Sequence, residues 1–315
     1  MASRQVLALA TRLDAEAEYD WLRRLRTALP GEDIQSFRVL SEEQLATVEI
    51  AIVADPDPAD LSRVPNLKWI HSLWAGVERL VSELERDIPV VRLVDPELGR
   101  VMAESVLAWV YYLFRHMPEY ARFQLERNWR KLTYRHPDQV TVGLLGLGAL
   151  GNAAVSRLHG AGFKVAGWSR GPKNMPGVAT FSGEAGLDTV LARSDYLVCL
   201  LPLTRETTGL LDATRLSRMP EGGSLINFAR GPIVVTRDLV AMLDKGHLAH
   251  AVLDVFDTEP LPSDAPLWTH PSVTVLPHIS APTNMDTAAR IVGENIRAYR
   301  RSGVLPPSVD LMRGY

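Results

Sequence analysis

The segment that most restricts the fold of this chain lies almost half-way along it. Gly146-Leu147-Gly148-Ala149-Leu150-Gly151 follows the apolar run Thr141 to Leu145 and precedes Ala153 to His159, whose apolar residues fall at helical spacing. A further strand-like run, Phe163 to Trp168, comes at the distance a βαβ unit requires. In such a unit Gly146 permits a tight turn, Gly148 lets the backbone approach a pyrophosphate, and Gly151 lets the helix pack close to the strand. The helix N-terminus then turns free N–H groups and a partial positive charge toward the phosphates. A glycine-rich turn without a ligand is the alternative, and the strand–turn–helix context favours the dinucleotide.

Strand-like and helix-like runs alternate along the whole chain. Before the glycine motif, Val6 to Ala10, Val48 to Ala54, Leu67 to Ser72 and Val90 to Val94 read as strands, with helices over Tyr19 to Leu29 and Gly99 to Phe114. After it come Tyr196 to Leu201, Gly223 to Phe228, Ala251 to Val255 and Val273 to Leu276, and a last helix from Asn284 to Arg301. This alternation predicts an α/β fold with parallel sheets, and 315 residues suit two Rossmann-like domains. The last helix has no strand of its own series left to cover. It is therefore expected to return to the first domain, so that the larger domain is inserted into the smaller. The predicted division is a flavodoxin-like substrate domain over 1–98 and 285–315 and a dinucleotide-binding domain over 99–284.

Composition removes several classes of function. A net charge of −3 without a long single-sign run gives no footprint for nucleic acid or an anionic membrane. The longest apolar stretch, Val106 to Phe114, falls well short of the ~20 residues of a spanning helix. Val6 to Ala10 is too short for the apolar region of a signal peptide, so a cytoplasmic location is expected. The single cysteine, Cys199, excludes an internal disulfide and reads as a buried strand residue. His247 and His250 have no third ligand cluster near them in sequence, and no metal is expected.

The end of the strand after the glycine motif reads Gly167-Trp168-Ser169-Arg170. NAD enzymes usually carry an acid there for the ribose hydroxyls. Its absence, with Ser169, Arg170 and Lys173 placed to meet a 2′-phosphate, predicts NADP(H) in preference to NAD(H). Arg170 as a solvated loop residue is the competing account. Three more segments end strands of this series: Asn227 to Pro232, Leu253 to Pro262, and Pro277 to Ser280. Ligands of open α/β sheets bind beyond the carboxyl ends of strands.

With these segments in this order, the late glycine motif, and Leu201-Pro202-Leu203-Thr204 followed by Thr207 and Gly209, the chain resembles the D-isomer-specific 2-hydroxyacid dehydrogenases, and among them the A-type glyoxylate/hydroxypyruvate reductases, over nearly its whole length. The resemblance implies NADPH-dependent reduction of a small 2-oxo acid to the D-2-hydroxy acid. Arg230 would hold the substrate carboxylate and polarise the keto oxygen, His278 would protonate that oxygen, and Glu259 would orient the imidazole and favour its charged form. It also implies a carboxylate-binding loop at Trp74, Ala75, Gly76 and Val77, with Trp74 narrowing the pocket toward short acids. The cofactor would be lined by Met102, Ala149, Leu150, Leu201, Pro202, Thr207, Ala229, Asp254, His278 and Ser280, beside the glycines, and the Pro118 to Lys131 region would form a homodimer.

The chemistry asks for such a set on its own terms. A developing alkoxide needs a positioned proton donor that titrates near neutrality, and an anionic substrate needs a forked cation. Taken singly, Arg230 could be a surface arginine, Glu259 a turn residue before Pro260, His278 a satisfied strand-end histidine, and Trp74 a core aromatic. Ser105 departs from the resemblance, since many members carry histidine there. Glu259 argues against formate dehydrogenases, which use glutamine, and the late glycine motif argues against L-lactate and 6-phosphogluconate types. A non-catalytic dinucleotide sensor, like the corepressors on this fold, and a reductase of a bulkier acid such as phenylpyruvate remain as alternatives.

Overall fold

The structure, a computed structural model, describes residues 5–310. The chain divides into two compact units, Met1–Glu97 with Thr283–Tyr315, and Leu98–Pro282. The outermost parts of the expected first domain, 1–4 and 311–315, lie outside the described residues.

The first unit is built on β1 (Val6–Thr11), β2 (Asp33–Ser36), β3 (Ile50–Ala54), β4 (Trp69–Ser72) and β5 (Val90–Val91), in the order β2-β1-β3-β4-β5. All four pairings are parallel. β1, β3 and β4 are buried along their whole length, because helices cover both faces of a parallel sheet. The helix Ala15–Ala28 is capped by Asp14, whose carboxylate accepts the Ala17 N–H at 2.9 Å. Its Trp21, Leu22 and Leu25 share one cluster with Leu7, Leu9, Ile50, Ile52 and Trp69 of the sheet and with Ala288, Ala289, Val292 and Ile296 of the closing helix Met285–Ser302. His71 is buried at the end of β4. Burial pushes its pKa down to about 4 and keeps it neutral. Its Nδ1–H donates to Ser72 O and its Nε2 accepts from Asn295 Nδ2, both at 2.9 Å.

The second unit carries β6 (Thr141–Leu145), β7 (Lys164–Ser169), β8 (Ala179–Ser182), β9 (Tyr196–Cys199), β10 (Gly223–Asn227), β11 (Leu248–Leu253) and β12 (Val273–Val275). Their order is β12-β11-β10-β9-β6-β7-β8, again parallel throughout. The chain runs outward from β6 through β7 to β8, then restarts beside β6 at β9 and runs the other way. The crevice between β6 and β9 is thus the topological switch point, where such sheets hold ligands.

Two strands are not legible in the sequence pattern. β2 (Asp-Ile-Gln-Ser) and β8 (Ala-Thr-Phe-Ser) are short edge strands, and an edge needs no apolar run. Two helices begin earlier than their apolar spacing indicates. One starts at Ala149 inside the glycine motif, the other at Pro96, where Asp95 accepts the Glu97 N–H at 2.9 Å.

Candidate functional site

At the switch point β6 runs into a turn that only glycine can make in two places. Gly146 has φ 104°, and a Cβ there would lie 2.7 Å from Leu200 O. A Cβ on Gly151 would lie 2.0 Å from Gly146 O. At Gly148 nothing stands within 4 Å, so its backbone is open to a ligand. Gly148 also caps the helix Ala149–Gly160 without a side-chain bond, which leaves the first N–H groups of that helix available. These features fit a dinucleotide pyrophosphate.

After β7, the buried Ser169 hydroxyl donates to Gly171 O at 2.8 Å, and Arg170 is exposed at the start of the loop. Lys173 donates to Leu147 O at 2.5 Å. In the loop after β9 the Thr207 hydroxyl donates to Pro202 O at 2.7 Å and accepts from Thr204 N at 2.8 Å, so it shapes the loop. Leu201 is buried beside it. Met102 is 7% exposed within the core of this unit, against Val198, Ile226 and Phe228 among others.

Three strand ends assemble the charged group. Beyond β10, buried Asn227 accepts the Ala229 N–H and donates from Nδ2 to Arg230 O at 3.1 Å, which fixes the turn carrying Arg230. One Arg230 nitrogen donates to Ala229 O at 2.6 Å. Gly231 lies against Phe256 so closely that a Cβ would sit 2.0 Å from the Phe256 carbonyl carbon. That approach joins the Arg230 turn to the loop carrying Glu259.

Glu259 accepts the Phe256 N–H on Oε1 at 2.9 Å, while Oε2 lies 2.7 Å from His278 Nδ1. The hydrogen bond to Glu259 raises the His278 pKa against the opposing effect of burial, and the Glu259 charge adds to the rise. Burial alone would raise Glu259, but the bonds from His278 and Phe256 and the charges of His278 and Arg230 hold it below its usual range. Nδ1 therefore keeps its proton in either state, and Nε2 is the nitrogen whose protonation changes.

His278 stands at φ 53°, a left-handed conformation uncommon for a residue with a side chain. Asp254, 2% exposed, holds it there. One carboxylate oxygen accepts the Ile279 N–H at 2.7 Å and the other the Ser280 N–H at 2.9 Å. The Ser105 hydroxyl bonds Ser280 O, so the residue that departs from the resemblance ties the helix Pro96–Phe114 to this turn. Asn227 has no role in the sequence pattern alone. Its one signal there is a polar residue that follows directly on the apolar pair Leu225-Ile226 at the strand's end.

In the first unit the loop after β4 carries Trp74, whose N–H donates to Ser72 Oγ at 3.0 Å. Its ring stands edge-on to Trp21, centroids 5.8 Å apart, in a groove also lined by Leu13 and Met285. Ala75 and Gly76 are half-buried and Val77 is buried. His250 Nε2 lies 2.9 Å from Thr274 Oγ1, and among the described residues no three His, Cys, Asp or Glu side chains group as a metal site would need. No helix among them is long and apolar enough to cross a membrane.

A glycine turn at the switch point of a parallel sheet, with a carboxylate-paired histidine and an arginine at the ends of strands of the same sheet, defines a dinucleotide-dependent oxidoreductase. The model of the family described as "D-isomer specific 2-hydroxyacid dehydrogenase, NAD binding domain" matches residues 107–280. Glyoxylate/hydroxypyruvate reductase A of Klebsiella pneumoniae (strain 342) is 37% identical over 303 residues, 94% of this chain and 96% of that protein. A D-isomer specific 2-hydroxyacid dehydrogenase from Xanthobacter autotrophicus Py2, solved with NADPH and MES, is 40% identical with a TM-score of 0.91, over 99% of this chain and 100% of that one. The NADPH-dependent glyoxylate/hydroxypyruvate reductase of Sinorhizobium meliloti, solved with NADP and sulfate, is 32% identical with a TM-score of 0.88, over 99% and 100% of the two chains. The chain belongs to the D-isomer specific 2-hydroxyacid dehydrogenase family.

Proposed function

We propose that this protein reduces a small 2-oxo acid of the glyoxylate or hydroxypyruvate kind to its D-2-hydroxy acid with NADPH, His278 being the proton donor. The observation that carries the reading is the Glu259–His278 pair, 2.7 Å apart, in which the imidazole is biased toward its charged form. The names of the relatives, reductases of glyoxylate and hydroxypyruvate, support the substrate class.

Bound NADPH would supply the hydride to the carbonyl carbon. As the C=O π pair moves onto oxygen, His278 Nε2 gives that oxygen a proton, and Glu259 keeps Nδ1–H bonded so that the ring holds its orientation. Arg230 holds the substrate carboxylate and steadies the developing charge on oxygen. Ala149 and Leu150 would present the helix N–H groups to the pyrophosphate, and Ser169 and Arg170 would meet the 2′-phosphate. Met102, Leu201, Pro202, Ala229, Asp254 and Ser280 would line the cofactor, with Thr207 shaping the loop after β9. The loop of Trp74, Ala75, Gly76 and Val77 serves the substrate carboxylate, with Trp74 restricting acids to short ones. Leu125 and Trp129, 86% and 95% exposed, belong to a face that a second copy of the chain covers in a homodimer. The enzyme works in the cytoplasm.

The test is oxidation of NADPH and NADH with glyoxylate, hydroxypyruvate, pyruvate and phenylpyruvate. Fast turnover of a short acid with NADPH is expected, and His278→Asn lowers kcat by about 100-fold. Tight NADPH binding with no turnover of any acid would instead favour a non-catalytic dinucleotide sensor.

A further inference from the structure

The glycine turn is fastened at three points to the strand that follows its helix and to the loop beyond. The Gly146 N–H donates to Trp168 O at 2.9 Å. The Leu147 side chain, 1% exposed, fills the notch left by Gly167, where a Cβ would meet Leu147 Cδ2 at 2.6 Å. The third fastening is the Lys173 ammonium on the Leu147 carbonyl oxygen at 2.5 Å. Lys173 is itself held from behind, since the Thr180 hydroxyl donates to its carbonyl at 2.6 Å. The carbonyl of a buried turn residue needs a partner, and here a charged donor supplies it.

We propose that Lys173 is a positioning residue for the glycine turn. It fixes the Leu147 peptide, and through it the open N–H groups at the start of the helix Ala149–Gly160, in the arrangement a pyrophosphate requires. It is not a ligand of the 2′-phosphate, a role left to Ser169 and Arg170. The inference rests on the dinucleotide reading above. NADH and NADPH share their pyrophosphate and differ only at the 2′ position. A residue that acts through the turn must therefore affect both nucleotides equally, whereas a 2′-phosphate ligand affects NADPH alone.

Dissociation constants of NADH and NADPH, measured by quenching of protein fluorescence, separate the two roles. Lys173→Met is expected to weaken both by about fivefold, the loss of one charge-assisted hydrogen bond to a part-buried carbonyl, with their ratio unchanged. Lys173→Arg, which keeps a donor with sufficient reach, restores both. Arg170→Ala is the control and weakens NADPH alone. A loss confined to NADPH in Lys173→Met overturns the inference, and so do two unchanged constants. A second readout needs no nucleotide: in the ligand-free protein, Lys173→Met accelerates amide hydrogen exchange across Leu147 to Gly151, and unaltered exchange also overturns it. If the unmodified protein binds neither nucleotide, the dinucleotide reading fails, and hydrogen exchange alone then decides whether Lys173 holds the turn.

Discussion

Replacing Glu259 by Gln removes one charge and little volume, so its effect isolates what the carboxylate does to His278. The imidazole Nδ1 lies 2.7 Å from Glu259 Oε2. An opposite charge this near shifts a pKa by about 1–3 units. The ring is 52% and the carboxylate 36% exposed, so solvent screening places the effect at the low end. About one unit, or ~1.4 kcal/mol between the protonation states, is the expected loss.

In the variant, burial and the Arg230 charge still push His278 down, the Asp254 charge still pulls it up, and a neutral amide oxygen accepts Nδ1–H without the attraction of a charge. With His278 as the proposed proton donor, reduction needs its charged form, so kcat/KM falls as pH rises through its pKa. The basic limb of the profile should therefore move to lower pH by about one unit in Glu259→Gln. Well above that limb the variant is about tenfold slower, and well below it protonation costs nothing. The assay is kcat/KM for a 2-oxo acid against pH at saturating NADPH, with an NMR titration of the imidazole beside it. A limb that stays in place, or moves to higher pH, refutes the reasoning.

Stability follows the same pair with its own sign. The raised pKa of His278 contributes stability that is complete below the unfolded histidine pKa and fades as pH rises through the folded one. The lowered pKa of Glu259 contributes stability above the unfolded carboxylate pKa, lost as pH falls through its folded one. The melting-temperature gap between wild type and Glu259→Gln is thus widest between those two ranges.

Gly231→Ala drives a Cβ to 2.0 Å from the Phe256 backbone, and should cost about 1–3 kcal/mol of stability and displace Arg230; a melting curve and kcat matching wild type would contradict this. Asp254→Ala strands the Ile279 and Ser280 N–H groups, about 1–3 kcal/mol each, and releases His278 from its left-handed turn, so kcat should drop more than tenfold alongside the melting temperature. Trp74→Ala opens the groove beside Trp21, and should raise kcat/KM for phenylpyruvate relative to glyoxylate; an unchanged ratio removes Trp74 from substrate choice.

Apolar runs that must be buried on both faces make β1, β3, β6 and β10 legible in the sequence, and the order of strand ends points to the segments that carry Arg230, Glu259 and His278. Local partnering is what the sequence hides. Asp254 reads as a cofactor contact, and the engagement of both its oxygens by backbone N–H groups is not visible in the sequence. Nothing in Pro277-His278-Ile279 announces a left-handed residue, because no glycine or asparagine marks it. Lys173 reads as a phosphate ligand by its nearness to Arg170, and the bond from its side chain to a carbonyl 26 residues earlier leaves no mark in that spacing. Such contacts depend on where two loops lie in space, which periodicity does not encode. Ser105, in sequence only a departure from the resemblance, has a partner 175 residues away.

The discontinuous first unit has a consequence for how the chain is made. The second unit is contiguous, Leu98–Pro282, and every strand of its sheet has left the ribosome before the closing helix has. The first sheet is synthesised earliest yet finished last. Until Met285–Ser302 emerges, the face presented by Leu7, Leu9, Ile50, Ile52 and Trp69 lacks Ala288, Ala289, Val292 and Ile296. The nascent first unit thus carries an uncovered apolar surface until the closing helix has emerged, and the completion of its core waits on the synthesis of the whole second unit.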